Sequence, residues 1–118
     1  MTAFLDEPQG PGGPQHCPAE LALQVMRGRW KVLIVRELIA GTRRFSALKR
    51  SLAGVSHKVL TAQLRELETD GVVERRVFAQ VPPRVDYDLT ERGRALLPLL
   101  EGLHAWGAAG QPAAEAGE

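Results

Sequence analysis

The chain reads as a mainly α fold with one small β-hairpin, and three observations lead there. Apolar residues first recur at spacings of three and four: Leu21, Val25 and Met26, then Trp30, Leu33, Ile34 and Leu38, then Leu48 and Leu52, then Leu60, Leu64 and Leu67. That is the period of helices with one buried face. The period then shortens to two, with Val85, Tyr87 and Leu89 alternating with Asp86 and Asp88, as in a half-buried strand. Turn signals separate these runs at Gly54-Val55, Asp70-Gly71 and Pro82-Pro83-Arg84. The resulting order is helix, tight turn, helix and then a hairpin, which is a winged helix-turn-helix.

Residues 1–15 hold Pro8, Gly10, Pro11, Gly12, Gly13 and Pro14, with too little apolar surface to offset the entropy of ordering. They read as a flexible arm. The domain is expected over 16–107. Its first helix should begin at Pro18, a residue favoured at the first helical position, with Cys17 as the residue that caps it. A second helix opens at Trp30, and Trp30, Leu33, Ile34 and Leu38 form its buried stripe. A short strand is expected over 43–45. Ser46 should cap a third helix over 46–53, and Ser56 a fourth over 56–70. The hairpin then pairs a long strand over 72–81 with one carrying Val85, Tyr87 and Leu89, and Arg84 stands at the tip between them. Thr90 should cap a final helix whose Glu91 suits the positive helix end. The Ala- and Gly-rich residues 108–118 read as a loose tail.

The final helix bears on assembly. Ala95, Leu96, Leu97, Leu99, Leu100, Leu103 and Trp106 cover more than one stripe, and a helix apolar on nearly every side must be covered on nearly every side. One small domain cannot do that to its own terminal helix, so a second copy is expected there. The expected homodimer joins through helices at 16–27 and 91–107, with Leu21, Leu96, Leu99, Leu100, Leu103 and Trp106 at the seam. Pro98 removes one helical hydrogen bond and should kink this helix unless it falls in a first turn.

At 118 residues the chain has room for one domain with a modest core. The net charge of +1 hides an asymmetry, because residues 43–84 hold nine basic and four acidic residues, a balance of +5. A local surplus of that kind attracts a phosphate backbone. No apolar run reaches the ~20 residues that span a membrane, and the first residues lack the pattern of a signal peptide. One cysteine excludes an internal disulfide and fits a reducing cytoplasm. No paired carboxylates, nucleophile triad, phosphate loop or metal-ligand spacing is present, so neither an enzyme nor a cofactor or metal is expected. His16, Cys17, His57 and His104 match no ligand motif.

The fourth helix carries the functional expectation. Lys58, Thr61 and Arg65 share one face at spacings of three and four, while Leu60, Leu64 and Leu67 share the other. A helix with a leucine seam inward and a Lys/Thr/Arg stripe outward is shaped to lie in the major groove of double-stranded DNA. Ser56 and His57 stand at its N-terminus, where free N–H groups favour a phosphate. Lys58, Thr61 and Arg65 are the candidates for base edges and nearby phosphates. Arg84 is the candidate for the minor groove or its phosphates, and Arg43 and Arg44 for backbone clamps. A winged-helix module that binds protein is the competing class, and the basic outer face argues against it.

In these residues the chain resembles the HxlR family of bacterial winged-helix transcription regulators. The resemblance rests on Cys17-Pro18, Gly28-Arg29-Trp30-Lys31-Val32-Leu33-Ile34, Arg44-Phe45-Ser46-Ala47-Leu48, and Val55-Ser56-His57-Lys58-Val59-Leu60-Thr61. It continues through Leu64-Arg65-Glu66-Leu67-Glu68, Asp70-Gly71, Val81-Pro82-Pro83-Arg84-Val85, Tyr87, Leu89-Thr90 and Trp106-Gly107. It implies a homodimer built from the first and last helices, a recognition helix in each subunit, a palindromic operator, and regulation that is read here as repression. A thiol at Cys17 would meet the unpaired N–H groups at the start of the first helix, and His16 stands beside it. Several members of the family sense electrophiles or thiol oxidants at this position, so the resemblance makes Cys17 a candidate sensor. Packing at the dimer seam is the competing role.

Overall fold

A computed structural model describes residues 17–110. Helix α1 runs Pro18–Val25 and α2 runs Arg29–Ile39. A two-residue strand β1, Arg43–Arg44, leads directly into α3, Phe45–Ser51. The longer α4 spans His57–Thr69. Strands β2, Val73–Phe78, and β3, Arg84–Leu89, form the hairpin. A one-turn α5, Glu91–Arg94, and then α6, Leu97–Ala109, complete the chain.

The three strands make one antiparallel sheet in the order β1-β3-β2. Its register places Arg43 opposite Tyr87 and Arg44 opposite Asp86 on one side of β3. On the other side it places Arg75 opposite Tyr87, Arg76 opposite Asp86 and Phe78 opposite Arg84. Residues directly opposite in a sheet point to the same face. Tyr87 and Leu89 therefore face the core with Val73, while Asp86 and Asp88 face outward with Arg44 and Arg76. The core joins Ile34, Val35 and Leu38 of α2, Leu48 of α3, and Leu60, Leu64 and Leu67 of α4 to that inner sheet face. This is a winged helix-turn-helix, with β2 and β3 as the wing.

The expected caps of α4 and α5 are present. The Ser56 hydroxyl accepts the Val59 N–H at 3.1 Å, and Thr90 accepts the Gly93 N–H at 3.0 Å while donating to the Gly71 carbonyl at 2.6 Å. Gly71 closes α4 with φ +77°, a conformation that side chains rarely adopt.

Five expectations are corrected. Ser46 does not cap α3. Arg44 holds that position, because pairing with β3 keeps it extended and the chain turns helical at Phe45, leaving Ser46 inside the first turn. Strand β2 stops at Phe78 rather than 81, since Pro82 and Pro83 keep β3 from starting before Arg84 and nothing remains for residues 79–81 to pair with. The final helix is two helices. Pro98 has no N–H for the Arg94 carbonyl, so α5 ends and α6 restarts with the proline in its first turn. The stripe of α2 is rotated from the one expected: Lys31 and Val35 are buried, whereas Trp30 and Leu33 are only partly so. Arg84 is not on a free tip but is the first residue of β3.

Candidate nucleic-acid interface

Helix α4 turns its leucine seam into the core and leaves the opposite side to water. Lys58 and Arg65 are exposed and Thr61 is half-buried. Neither Lys58 nor Arg65 enters an ion pair among the described residues. Ser56 and His57 are exposed at the start of the helix, and the His57 ring rests against Phe45 with 4.8 Å between centroids. Phe45 in turn lies 6.4 Å from the Tyr87 ring. One aromatic side chain thus ties the first residues of α3 and α4 to the sheet. That contact was not legible beforehand, because Phe45 lies outside any apolar period.

The wing presents a different arrangement. The Arg84 guanidinium stacks over the Phe78 ring at 4.2 Å, and its Nε lies 3.3 Å from Asp86 Oδ1. Neither atom finds a hydrogen bond among the described residues. Asp86 also has Arg44 and Arg76 opposite it in the register of its two neighbouring strands, but among the described residues its ion pair is with Arg84 alone, Arg76 pairing with Glu74. The spacing of Arg84 and Asp86, two apart on a strand, was the available signal for this pair. Arg44 and Arg84, distant in sequence, line one groove of about 290 Å³ with Ser46, Pro82 and Pro83. The sheet parts Arg43 from Arg44, and Arg43 points to the Tyr87 side, half-buried. Arg75 and Arg76 are engaged with Glu68 at 3.8 Å and Glu74 at 2.6 Å.

The two termini of the domain expose apolar surface. Leu99, Leu103 and Trp106, at spacings of four and three on α6, are 45%, 50% and 83% exposed. Leu96 and Leu100 instead lean on the chain's own core. On α1, Leu21 and Leu23 are both exposed. Two positions apart on a helix, they diverge by about 200°. Leu21 lines the cleft between α1 and α4, and Leu23 points away from it. Cys17 occupies the capping position of α1 with φ −76° and ψ 125°, half-buried, and its side chain makes no capping hydrogen bond. His16 and the expected arm and tail at 1–15 and 111–118 lie outside the described residues. Among the described residues no helix is long and apolar enough to cross a membrane, and no group of three ligating side chains is gathered for a metal.

The model of the HxlR-like helix-turn-helix family matches residues 25–115. This chain belongs to that family. The uncharacterized HTH-type transcriptional regulator YtcD of Bacillus subtilis strain 168 is 51% identical over 89 residues, which cover 75% of this chain and 71% of YtcD. Among solved structures, the redox regulator HypR in its oxidized form is 43% identical, with a TM-score of 0.74 over 81% of this chain and 99% of HypR. The reduced form of the transcriptional regulator YodB from B. subtilis is 37% identical, with a TM-score of 0.70 over 76% of this chain and 89% of YodB. This HxlR-family chain is therefore a helix-turn-helix transcriptional regulator and not an enzyme, and DNA is its partner.

Proposed function

We propose that this chain is a homodimeric repressor that binds a palindromic operator, with α4 in the major groove and the wing on the flanking backbone, and that oxidation of Cys17 releases it. The observation that carries the DNA reading is the outer face of α4. Lys58, Thr61 and Arg65 stand on a helix whose inner face is anchored by three buried leucines, and their charges are not spent on internal ion pairs among the described residues. Arg65 grips a guanine through two parallel hydrogen bonds, and Lys58 and Thr61 take neighbouring base edges or phosphates. Ser56 and His57 meet a phosphate at the helix start, and Arg44 and Arg84 clamp the backbone from their shared groove.

The apolar stripe on α6 supports the dimer. Burying a Leu or Trp side chain is worth roughly 1.5–3 kcal/mol, and three such side chains in one line make a self-complementary seam. A two-fold dimer sets its recognition helices about 34 Å apart, or a multiple of that, and this spacing asks for a palindrome. Kinship with HypR, named a redox regulator, supports the role of Cys17. Its thiolate attacks a small disulfide, forms a mixed disulfide and expels the other sulfur as a thiolate, which places bulk beside the dimer seam.

The test is salt-dependent binding of reduced protein to DNA flanking its own gene, against scrambled DNA, repeated after a mild thiol oxidant and in Cys17→Ser. Tight binding to one palindrome, lost on oxidation in the wild type and kept in Cys17→Ser, is the expected result. Selective binding indifferent to oxidant would reduce Cys17 to packing, and no preference over scrambled DNA would remove the operator reading.

A further inference from the structure

We propose that Lys31 and Glu66 are a positioning pair that sets the rotation at which α4 presents Thr61 and Arg65, so that selectivity between DNA sequences depends on a charge contact lying off the DNA-facing surface. The inference rests on α4 being the recognition helix. Lys31 lies on α2 and is only 2% exposed, the one buried charged residue among those described. Its ammonium reaches Glu66 Oε1, on α4, at 2.5 Å. Glu66 follows Arg65 directly in the chain, and both line the same cleft between α1 and α4 with Arg27 and Lys31. The Lys31 ammonium is also the main cause that holds the Glu66 carboxyl below its ordinary range, and Arg27 adds a smaller pull.

Two kinds of contact hold α4, and they resist different motions. The seam of Leu60, Leu64 and Leu67 gains from burial, which has no direction, so it resists removal of the helix more than a small turn of it. The charge contact is directional. Separated from Glu66, a lysine that is only 2% exposed loses its one charged partner among the described residues. A hydrogen bond to a charged group is worth more than the neutral contacts that would replace it. With side-chain ends about 5–6 Å from the helix axis, a turn of about 20° carries them roughly 2 Å, enough to break a charged hydrogen bond. The same turn carries Arg65 equally far, outside the reach of a two-pronged grip on a guanine. Lys31 thus touches no DNA, and the aim of Arg65 depends on it.

The experiment uses the full chain with Lys31→Met, which keeps the bulk without the charge, and Glu66→Gln, which keeps an acceptor oxygen at a half-exposed position. Three readouts are compared with wild type: the ratio of dissociation constants for its own upstream DNA and a scrambled duplex at one salt concentration, thermal melting, and hydrogen exchange along α4. Both variants should melt cooperatively and still bind scrambled DNA, while the ratio falls about tenfold and α4 amides exchange faster. An unchanged ratio in a folded variant, whether or not melting is lowered, overturns the proposal and leaves the pair a matter of stability. If Lys31→Met does not fold, Glu66→Gln decides by the same ratio. If the wild type itself fails to discriminate, the recognition-helix reading falls. Exchange then decides on the pair: faster exchange supports pinning of α4, and equal exchange overturns it.

Discussion

Arg65 and Arg84 carry the same charge into different surroundings, so their removal should be felt differently. Arg65 is exposed and outside any ion pair among the described residues, whereas Arg84 is stacked on Phe78 and held beside Asp86. Arg65→Ala is expected to weaken operator binding by about 1–3 kcal/mol and to relax one base preference, read from a panel of single-base operator variants. Arg84→Ala should weaken every sequence alike and lower the salt slope by about one. A loss that varied with sequence would make Arg84 a reader rather than a clamp. Glu66 supplies a pH dependence. Its folded pKa is held below the ordinary 4.5 by Lys31, so its contribution is present above that value and is lost as pH falls through the folded pKa. The gap in melting temperature between wild type and Glu66→Gln should be open at neutral pH and close in acid. A gap independent of pH would refute the assignment. Lys58, Thr61 and Arg65 were legible because helical spacing alone groups them. Lys31 was not, since a lysine inside an apolar run gives no sign of being buried until its partner, on another helix, is known.

At the scale of elements, the junction between α5 and the wing is the tightest fit. A Cβ on Gly93 would lie 2.2 Å from the Val72 carbonyl oxygen and 3.2 Å from Leu89 Cδ2, where a backbone atom cannot give way. Gly93→Ala should therefore destabilise the fold by about 1–3 kcal/mol or more, measured by denaturant unfolding, while Gly102→Ala, whose Cβ would meet nothing, should not. A harmless Gly93→Ala would mean that α5 can shift off the sheet without loss. Local signals located most elements: Pro18, Ser56, Thr90 and Asp70-Gly71 each mark a boundary the structure keeps. They misled where a neighbouring element held the deciding vote. Ser46 has the chemistry of a cap, yet the pairing of β1 with β3 decides where α3 begins. Residues 79–81 suit a strand but have no strand opposite.

For the whole molecule, the apolar surface of α6 is the feature a single copy leaves unresolved. Trp106 is 83% exposed, whereas Leu99 and Leu103 are half covered by their own domain, so Trp106→Asp should leave melting of the folded unit nearly unchanged while shifting the chain to monomer in sedimentation. Operator affinity should fall with it, because two half-sites are then no longer bound as one. A Trp106→Asp dimer would place the seam elsewhere, with the exposed Leu23 face of α1 as the next surface to replace.

The sequence by itself determined the winged helix-turn-helix order, the boundaries set by caps and turns, and the basic outer stripe of α4. All of these are encoded in residues near one another in the chain, where periodicity and capping chemistry operate. The tertiary structure alone decided that Lys31 is buried against Glu66, that Asp86 stands opposite arginines on both neighbouring strands, and that Arg84 is held on Phe78. Each joins side chains on different elements or strands, and only the packing of α2 against α4 and the register of the sheet bring them within reach.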